Sequence, residues 1–426
     1  MTLSSRRILF LALLIYGLII GSLWTLTNGL LILSIPLVIY LSTVVIFRPR
    51  SLDLVILRQV SKDFVKPGTD VDVRISITNH GYNLDEIRIC DTVPNGIRLT
   101  KGSPVIVTTL GQNASFTYEY TVSGDRGSYE FHDISIQATD HFGVFISRQW
   151  FSAAQNLTIL PTFIRIRSVP IRPIRTRGHA GSIPSRQAGS GTAFFGVREY
   201  QPGDPRQWLN WRLSARNPDQ LFSNEFEQER IADVGLILDA RRRTNVTTEH
   251  GSIFDFSVQA SASLADMFLR DGNRVALLIY GRGLERSYPG YGKYQREKIM
   301  RALAYARIGE SMVFDSFDYL PTRFFPAQSQ IVIVSPLCSA DPKILSRIKS
   351  RGYNILVVSP DPVSYEKTMM YDSEELEIGS RIARAQRVLW IRYLQRVGIP
   401  VVDWQTHQPL DVALQSTVRR LRRGYL

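Results

Sequence analysis

Two short stretches of this chain concentrate the residue types that do chemistry. The first is Val234-Gly235-Leu236-Ile237-Leu238-Asp239, an apolar run ending in an acid, followed by Ala240-Arg241-Arg242-Arg243. A carboxylate at the end of a buried strand is a natural ligand for a hard cation. The arginines oppose that use, because they repel a cation and offer Asp239 an ion-pair partner instead. They could also hold an anion, such as a phosphate or a partner's carboxylate. No metal is therefore expected at Asp239, Arg241 and Arg243, and an internal ion-pair cluster and an anion site both stay open.

The second stretch runs from Arg198 to Arg216 and packs charged, aromatic and turn residues more densely than any other segment. Pro202-Gly203-Asp204-Pro205 has turn chemistry, with Asp204 placed to cap a following helical turn. Arg206 and Arg216 are expected to pair with Asp204 or Glu199. Elsewhere the usual catalytic patterns are missing: there is no His-Glu-x-x-His, no Gly-x-Ser-x-Gly and no complete phosphate loop. Ser287 to Lys293 lacks the first glycine and the final Ser or Thr of such a loop. The six histidines are scattered, and no nucleophile has a visible base. Cys90 and Cys338 stand far apart without Cys or His company, so they read as buried apolar fillers rather than zinc ligands or a disulfide. The chain is not expected to be an enzyme, and no cofactor is implied.

The elements that must position these residues come in blocks. At 426 residues, 44% of them hydrophobic, the chain is long enough for more than one core. Ile8–Leu26 and Leu30–Phe47 are nearly free of charge and read as two transmembrane helices within residues 1–50. Arg6 and Arg7 before them and Arg48 and Arg50 after them place both ends, and the body, in the cytoplasm. A cleaved signal peptide is the rival, but no Ala-x-Ala-like site follows.

Residues 51–162 alternate with period 2, as in Val71, Val73, Ile75 and Ile77, with turn residues between successive runs. That pattern predicts an immunoglobulin-like β-sandwich, with Asp140-His141-Phe142-Gly143 as a tight turn plugging its end. Residues 163–197 hold many Gly, Pro and Ser. From Arg165 to Arg198 there are seven arginines and no acid, so this stretch is expected to be a mobile basic linker. Residues 198–230 hold the dense segment.

From 231 to 426, strands at Val234–Asp239, Val275–Tyr280, Ile331–Val334, Asn354–Val358 and Ile399–Val402 alternate with helical patterns such as Phe254–Arg270. The result is an α/β doubly wound sheet. On a later helix Ile378, Ile382, Ala385, Leu389 and Tyr393 are expected to pack inward. Arg381, Arg384, Arg387 and Arg392 are then expected to face outward. The net charge of +13 and the basic tail Arg419-Arg420-Leu421-Arg422-Arg423 point to anionic partners. No nucleic-acid reader motif appears, and anionic lipid headgroups account for the charge more simply.

The dense segment resembles the signature of the prokaryotic family called domain of unknown function 58. Its matched positions are Arg198, Tyr200, Pro202, Gly203, Asp204, Arg206, Asn210, Trp211, Ser214, Ala215 and Arg216. The resemblance implies two membrane spans, a β-rich domain and a von Willebrand factor A-like domain. In such domains a divalent metal sits on an Asp-x-Ser-x-Ser loop. Here both serine positions are arginine, so the metal-ion-dependent adhesion site is degenerate. The resemblance further implies a MoxR-type AAA+ ATPase as partner, other membrane proteins being possible. The function expected is therefore a membrane-tethered cytoplasmic adaptor or scaffold, with the signature as partner-binding surface. A metal-dependent adhesion or ligand-binding receptor and an enzyme of unknown type are the alternatives.

Overall fold

The computed structural model describes residues 3–26, 28–46, 52–139, 146–167, 176–217, 219–248, 251–281, 283–309, 316–321, 324–326, 329–369 and 374–423. The turn expected at 140–143 lies outside them. The chain divides into two compact units, Met1–Leu160 and Pro161–Leu426.

The first unit opens with helices α1 (Leu3–Thr25) and α2 (Asn28–Ile46). Among the described residues no helix is long and apolar enough to cross a membrane. The expected transmembrane hairpin, and the integral-membrane placement drawn from it, are corrected accordingly. The described helices are more broken by polar residues than the bare run suggests. Helix α1 includes Ser4, Ser5, Arg6 and Arg7 in its first turns, whereas α2 starts on Asn28-Gly29 and carries Ser34 and Pro36 within it.

Eleven described strands follow in this unit: β1 (Leu54–Val60), β2 (Phe64–Val65), β3 (Val71–Asn79), β4 (Leu84–Asp91), β5 (Ile97–Lys101), β6 (Val105–Leu110), β7 (Ser115–Gly124), β8 (Gly127–Phe131), β9 (Ile134–Thr139), β10 (Ile146–Phe151) and β11 (Gln155–Ile159). They form two four-stranded sheets, ordered β1-β3-β7-β5 and β10-β9-β4-β6, and a small third sheet, β2-β11-β8. The alternation is physical: Val71, Val73, Ile75 and Ile77 of β3 are fully buried and share one core with Ile87, Ile89, Ile134 and Ile136 of the other sheet.

An ion pair that no sequence pattern announced lies in this core. Both Arg58 of β1 and Asp91 of β4 have fully buried side chains, and the guanidinium grips the carboxylate through two of its nitrogens. Tyr120 donates its hydroxyl to Asp91 Oδ2 at 2.5 Å. Burial and the Asp91 charge together hold that phenol protonated well above its usual range.

The second unit contains β12 (Thr176–Glu199), the short helix α3 (Trp211–Ser214), β13 (Phe222–Asp239), β14 (Thr247–Thr248), β15 (Gly251–Ser252), α4 (Ile253–Arg270), β16 (Arg274–Tyr280), β17 (Leu284–Gly290), α5 (Gly292–Tyr305), β18 (Gln330–Val334), α6 (Asp341–Ser350), β19 (Asn354–Pro360), α7 (Pro362–Met369), α8 (Glu374–Arg396), β20 (Val401–Trp404) and α9 (Leu410–Arg423). Its main sheet is ordered β17-β16-β13-β18-β19-β20. The path from β16 to β20 is parallel, and β17 is antiparallel at the edge. Residues 232–240 at the centre are all buried, as a strand covered on both faces must be.

The stretch read as a mobile linker over 163–197 is different in the structure, since β12 pairs antiparallel with β13 from Thr176 onward. Its register shifts fall between Gly178 and Ile183, Ser185 and Ala188, and Gly189 and Gly196. Gly178, Gly189 and Gly196, which argued for a loop, here flank irregularities along a strand, while Pro184 sits in register opposite Glu229.

Helix α8 is also rotated relative to expectation. Arg387 is buried, while Ile378, Ile382, Leu389 and Tyr393 are exposed at 52%, 56%, 63% and 41%. The inner face is made by Arg387, Ile391 and Leu394. A guanidinium with enough partners outcompetes an apolar stripe for the interior, for the reason given next.

Candidate functional site

Ligands of parallel sheets bind at the carboxyl ends of the strands. In this unit that edge is occupied by two buried guanidinium groups. The first is Arg241, just past β13, with a side chain that is fully buried. Its Nε donates to Asp239 Oδ1 at 2.8 Å and one terminal nitrogen donates to Asp239 Oδ2 at 2.8 Å. The same fork reaches Asp341 at the start of α6, with Oδ1 at 3.0 Å and Oδ2 at 2.8 Å. Phe317 lies under the guanidinium, 3.7 Å from ring centroid to carbon. Such a planar, bidentate, stacked arrangement suits arginine and would not suit lysine.

The carboxylates are held by further donors as well. Asp239 also accepts from the Arg241 amide at 3.0 Å and from the Ser335 hydroxyl at 2.6 Å, and Asp341 accepts from the Cys338 amide at 2.8 Å. All four carboxylate oxygens are thus engaged by donors, and a positive group already stands between them. Burial alone would depress the Arg241 pKa, but the two acids outweigh it and raise it above its ordinary value. Backbone contacts hold the loop in place: Gly309 donates to the Ala240 carbonyl at 2.7 Å, and Gly281 lies so close to that carbonyl that a Cβ there would collide with it.

Of the three arginines, only Arg241 enters this cluster fully. Arg243 is half-exposed, 4.0 Å from Asp341 Oδ1, and Arg242 is exposed. Sequence reasoning placed Asp239 and Arg241 together but missed Asp341, which lies a hundred residues beyond Arg241. A clue lay in Asp341-Pro342, an acid and a proline at a helix start, where the helix dipole favours a negative charge.

Cys338 was expected to be a buried apolar filler. It is partly exposed, and its thiol donates to Asp341 at 3.1 Å. Burial, and then the Asp341 charge, push its pKa up to about 12. In a Cys90→Ser background, iodoacetamide at pH 8 should therefore label folded Cys338 on the order of a thousandfold more slowly than the unfolded chain, because only the thiolate reacts. Labelling followed by mass spectrometry reads this out; equal rates in the two states would show that the thiol is not held by Asp341.

The second guanidinium is Arg387 of α8. It donates to the Pro336 carbonyl at 2.8 Å, the Ser359 carbonyl and hydroxyl at 3.1 Å each, and Asp403 Oδ1 at 2.6 Å. Asp361 lies 3.4 Å away. One side chain thereby ties together the ends of β18, β19 and β20, which is why α8 turns this arginine inward.

The dense segment 198–216 forms the connection between β12 and β13. Tyr200 donates its amide to the Leu221 carbonyl at 2.8 Å, and the Asn210 amide donates to that of Phe222 at 2.8 Å, so the two ends of the connection are stitched together. Arg198 donates to Asp204 Oδ1 at 2.6 Å and pairs with Glu225 at 3.1 Å. Asp204 also accepts from the Gln201 amide at 3.1 Å. The hydrogen bond from Arg198 and then that amide hold the Asp204 carboxyl below its usual range. Gly203 sits at φ +112°, a backbone conformation that glycine tolerates and L side chains rarely adopt.

Two expectations are corrected here. Asp204 closes the turn but caps no helix; Asn210 caps α3, its Oδ1 accepting from the Leu213 amide at 3.0 Å. The partner of Asp204 is Arg198, whereas Arg206 and Arg216 are exposed and show no ion pair among the described residues. Ser214 is buried and its hydroxyl accepts from the Phe222 amide at 2.9 Å. Pro202, Ala215 and Trp211 are exposed, Trp211 at 69%.

Residues 196–363 match the family model described as protein of unknown function DUF58. The match begins at the end of β12 and covers the connection and the parallel strands through β19. A relative of this chain is the uncharacterized protein YeaD of Bacillus subtilis (strain 168), 26% identical over 253 residues, which are 58% of this chain and 61% of that protein. The chain thus spans about three fifths of that relative's length. Among solved structures, the PapD-like domain 7 of human CEP192 is similar at 12% identity and TM-score 0.20, covering 26% of this chain and 89% of that one. A FixG-related protein from Vibrio parahaemolyticus is similar at 7% identity and TM-score 0.18, covering 26% and 98%.

Proposed function

We propose that this chain is a protein-binding scaffold, and that the connection between β12 and β13 is its contact surface. The observation that carries this reading is Trp211, a large aromatic 69% exposed on a well-tied turn, with exposed Arg206, Arg212 and Arg216 in the same connection. Tryptophan and arginine are the residue types that dominate binding energy at interfaces, and a preorganised turn spends little entropy on docking. The carboxyl edge of the sheet supports the reading from the other side. With the oxygens of Asp239 and Asp341 taken up by Arg241, that edge is built for cohesion, which speaks against the metal-dependent receptor. We read the unit as von Willebrand factor A-like with its metal loop rebuilt around an arginine.

The partner implied by the family resemblance is a MoxR-type AAA+ ATPase. The test is affinity capture of the tagged full chain from its own cells, with and without ATP, beside Trp211→Ala/Arg206→Ala. A scaffold of this kind recovers the ATPase with the wild-type chain and loses at least tenfold in apparent affinity with the variant, at unchanged circular dichroism. Equal recovery by both would remove the connection from the contact, and recovery of no ATPase by either would remove the partner.

A further inference from the structure

The outward face of α8 has a pattern that its own unit does not use. Ile378, Ile382, Ala385 and Leu389 are all exposed, and with Arg392 and Arg396 they follow one another at steps of four, three, four, three and four residues. That is the seam of a coiled coil, about 27 Å long from Ile378 to Arg396. Single exposed apolar residues are ordinary, but a seam in register over three turns needs a partner helix to cover it.

The charges on α8 identify that partner. Exposed Glu374, Glu375 and Glu377 occupy its first turn, exposed Arg396 its last, and exposed Arg392 lies one turn before Arg396. A second copy laid parallel would set Arg392 against Arg392 and Arg396 against Arg396. Laid antiparallel about a twofold axis through Ala385, the midpoint of the helix, it sets Glu374 opposite Arg396, brings Glu377 near Arg392, and packs Ile382 on Leu389. The residue at the axis is the smallest of the seam, which lets the two backbones approach. An isologous contact of this type is self-complementary in shape and charge.

We infer that two copies of this chain associate through α8, antiparallel, with Ala385 at the twofold axis. The contact is one helix pair, at the low end of specific interface sizes, so the dimer forms at micromolar rather than nanomolar concentration.

The experiment uses the full chain at tens of micromolar in analytical ultracentrifugation, beside Ile382→Asp/Leu389→Asp, whose side chains are exposed and do not enter the core. Mild oxidation of Ala385→Cys and Ile378→Cys variants then reads the register. Across the axis two Ala385→Cys sites come together, whereas two Ile378→Cys sites are separated by about 21 Å along the helices, beyond the reach of a disulfide. The expected result is a dimer that the double aspartate variant abolishes, with cross-linking at 385 and not at 378. A monomeric wild-type chain, a dimer that survives the aspartates, or cross-linking at both positions would each overturn it. Pairing through α8 leaves Trp211 free, so a monomer that still binds the ATPase would end this inference and leave the scaffold standing.

Discussion

Replacing Arg241 with alanine is expected to destabilise the α/β unit by about 3–5 kcal/mol, the usual cost of removing one partner from a buried ion pair. The loss exceeds that of an ordinary core truncation because of what is left behind. Asp239 and Asp341 would face each other in the interior without their shared guanidinium, two like charges with nothing between them. Hydrogen exchange of the β13 and β18 amides measures the cost for the α/β unit alone. A cost below about 1 kcal/mol would mean that the acids are held apart by other means. Arg241→Lys should recover only part of the loss, since an ammonium cannot span four oxygens in a fork.

The contrast between Asp239 and its partner Asp341 shows what a sequence discloses about such a site. Asp239 was legible because its strand is uniformly apolar and ends on an acid, and the arginine beside it stated the local electrostatics. Asp341 was not, because a helix start after β18 becomes a neighbour of the β13 end only when the sheet order is known. The same limit explains α8. Its periodicity correctly gave a helix with an apolar stripe, but periodicity does not say whether a stripe faces inward. The orientation is set by Arg387, which has acceptors from Pro336, Ser359 and Asp403, and five donors well supplied are worth more buried than exposed.

In the first unit β3 was legible in detail, since alternation leaves little freedom once one face is buried. β12 was not, because a strand rich in Gly and Pro is held by its pairing with β13 and carries no alternation of its own. The N-terminal segments failed differently. A count of apolar residues does not weigh Ser4 to Arg7 or the interior Pro36 of the helices that form.

Replacing Asp91 with alanine should have a comparably large effect on the β-sandwich, about 3–5 kcal/mol, for a related reason. Arg58 would keep its acceptors in the carbonyls of His132 and Ala153 but lose the only carboxylate it pairs with among the described residues, and its charge would stay buried over Phe131. Tyr120 would lose its acceptor as well. The discriminating variant is Arg58→Met with Asp91→Leu, which removes both charges and keeps comparable volume. Because the pair must give up hydration to enter the core, the double replacement should recover most of the loss of either single change, the remainder being the Tyr120 hydroxyl and the His132 and Ala153 carbonyls left without their partners. Thermal unfolding of the four proteins forms a double-mutant cycle, followed through the amides of β3 and β4. If the double variant is as unstable as the single ones, the pair contributes geometry that an apolar core cannot replace. A double variant that recovers most of the loss would instead show that the two sheets cohere through Val73, Ile75, Ile89 and Ile136, with Arg58 and Asp91 fixing only how they are aligned.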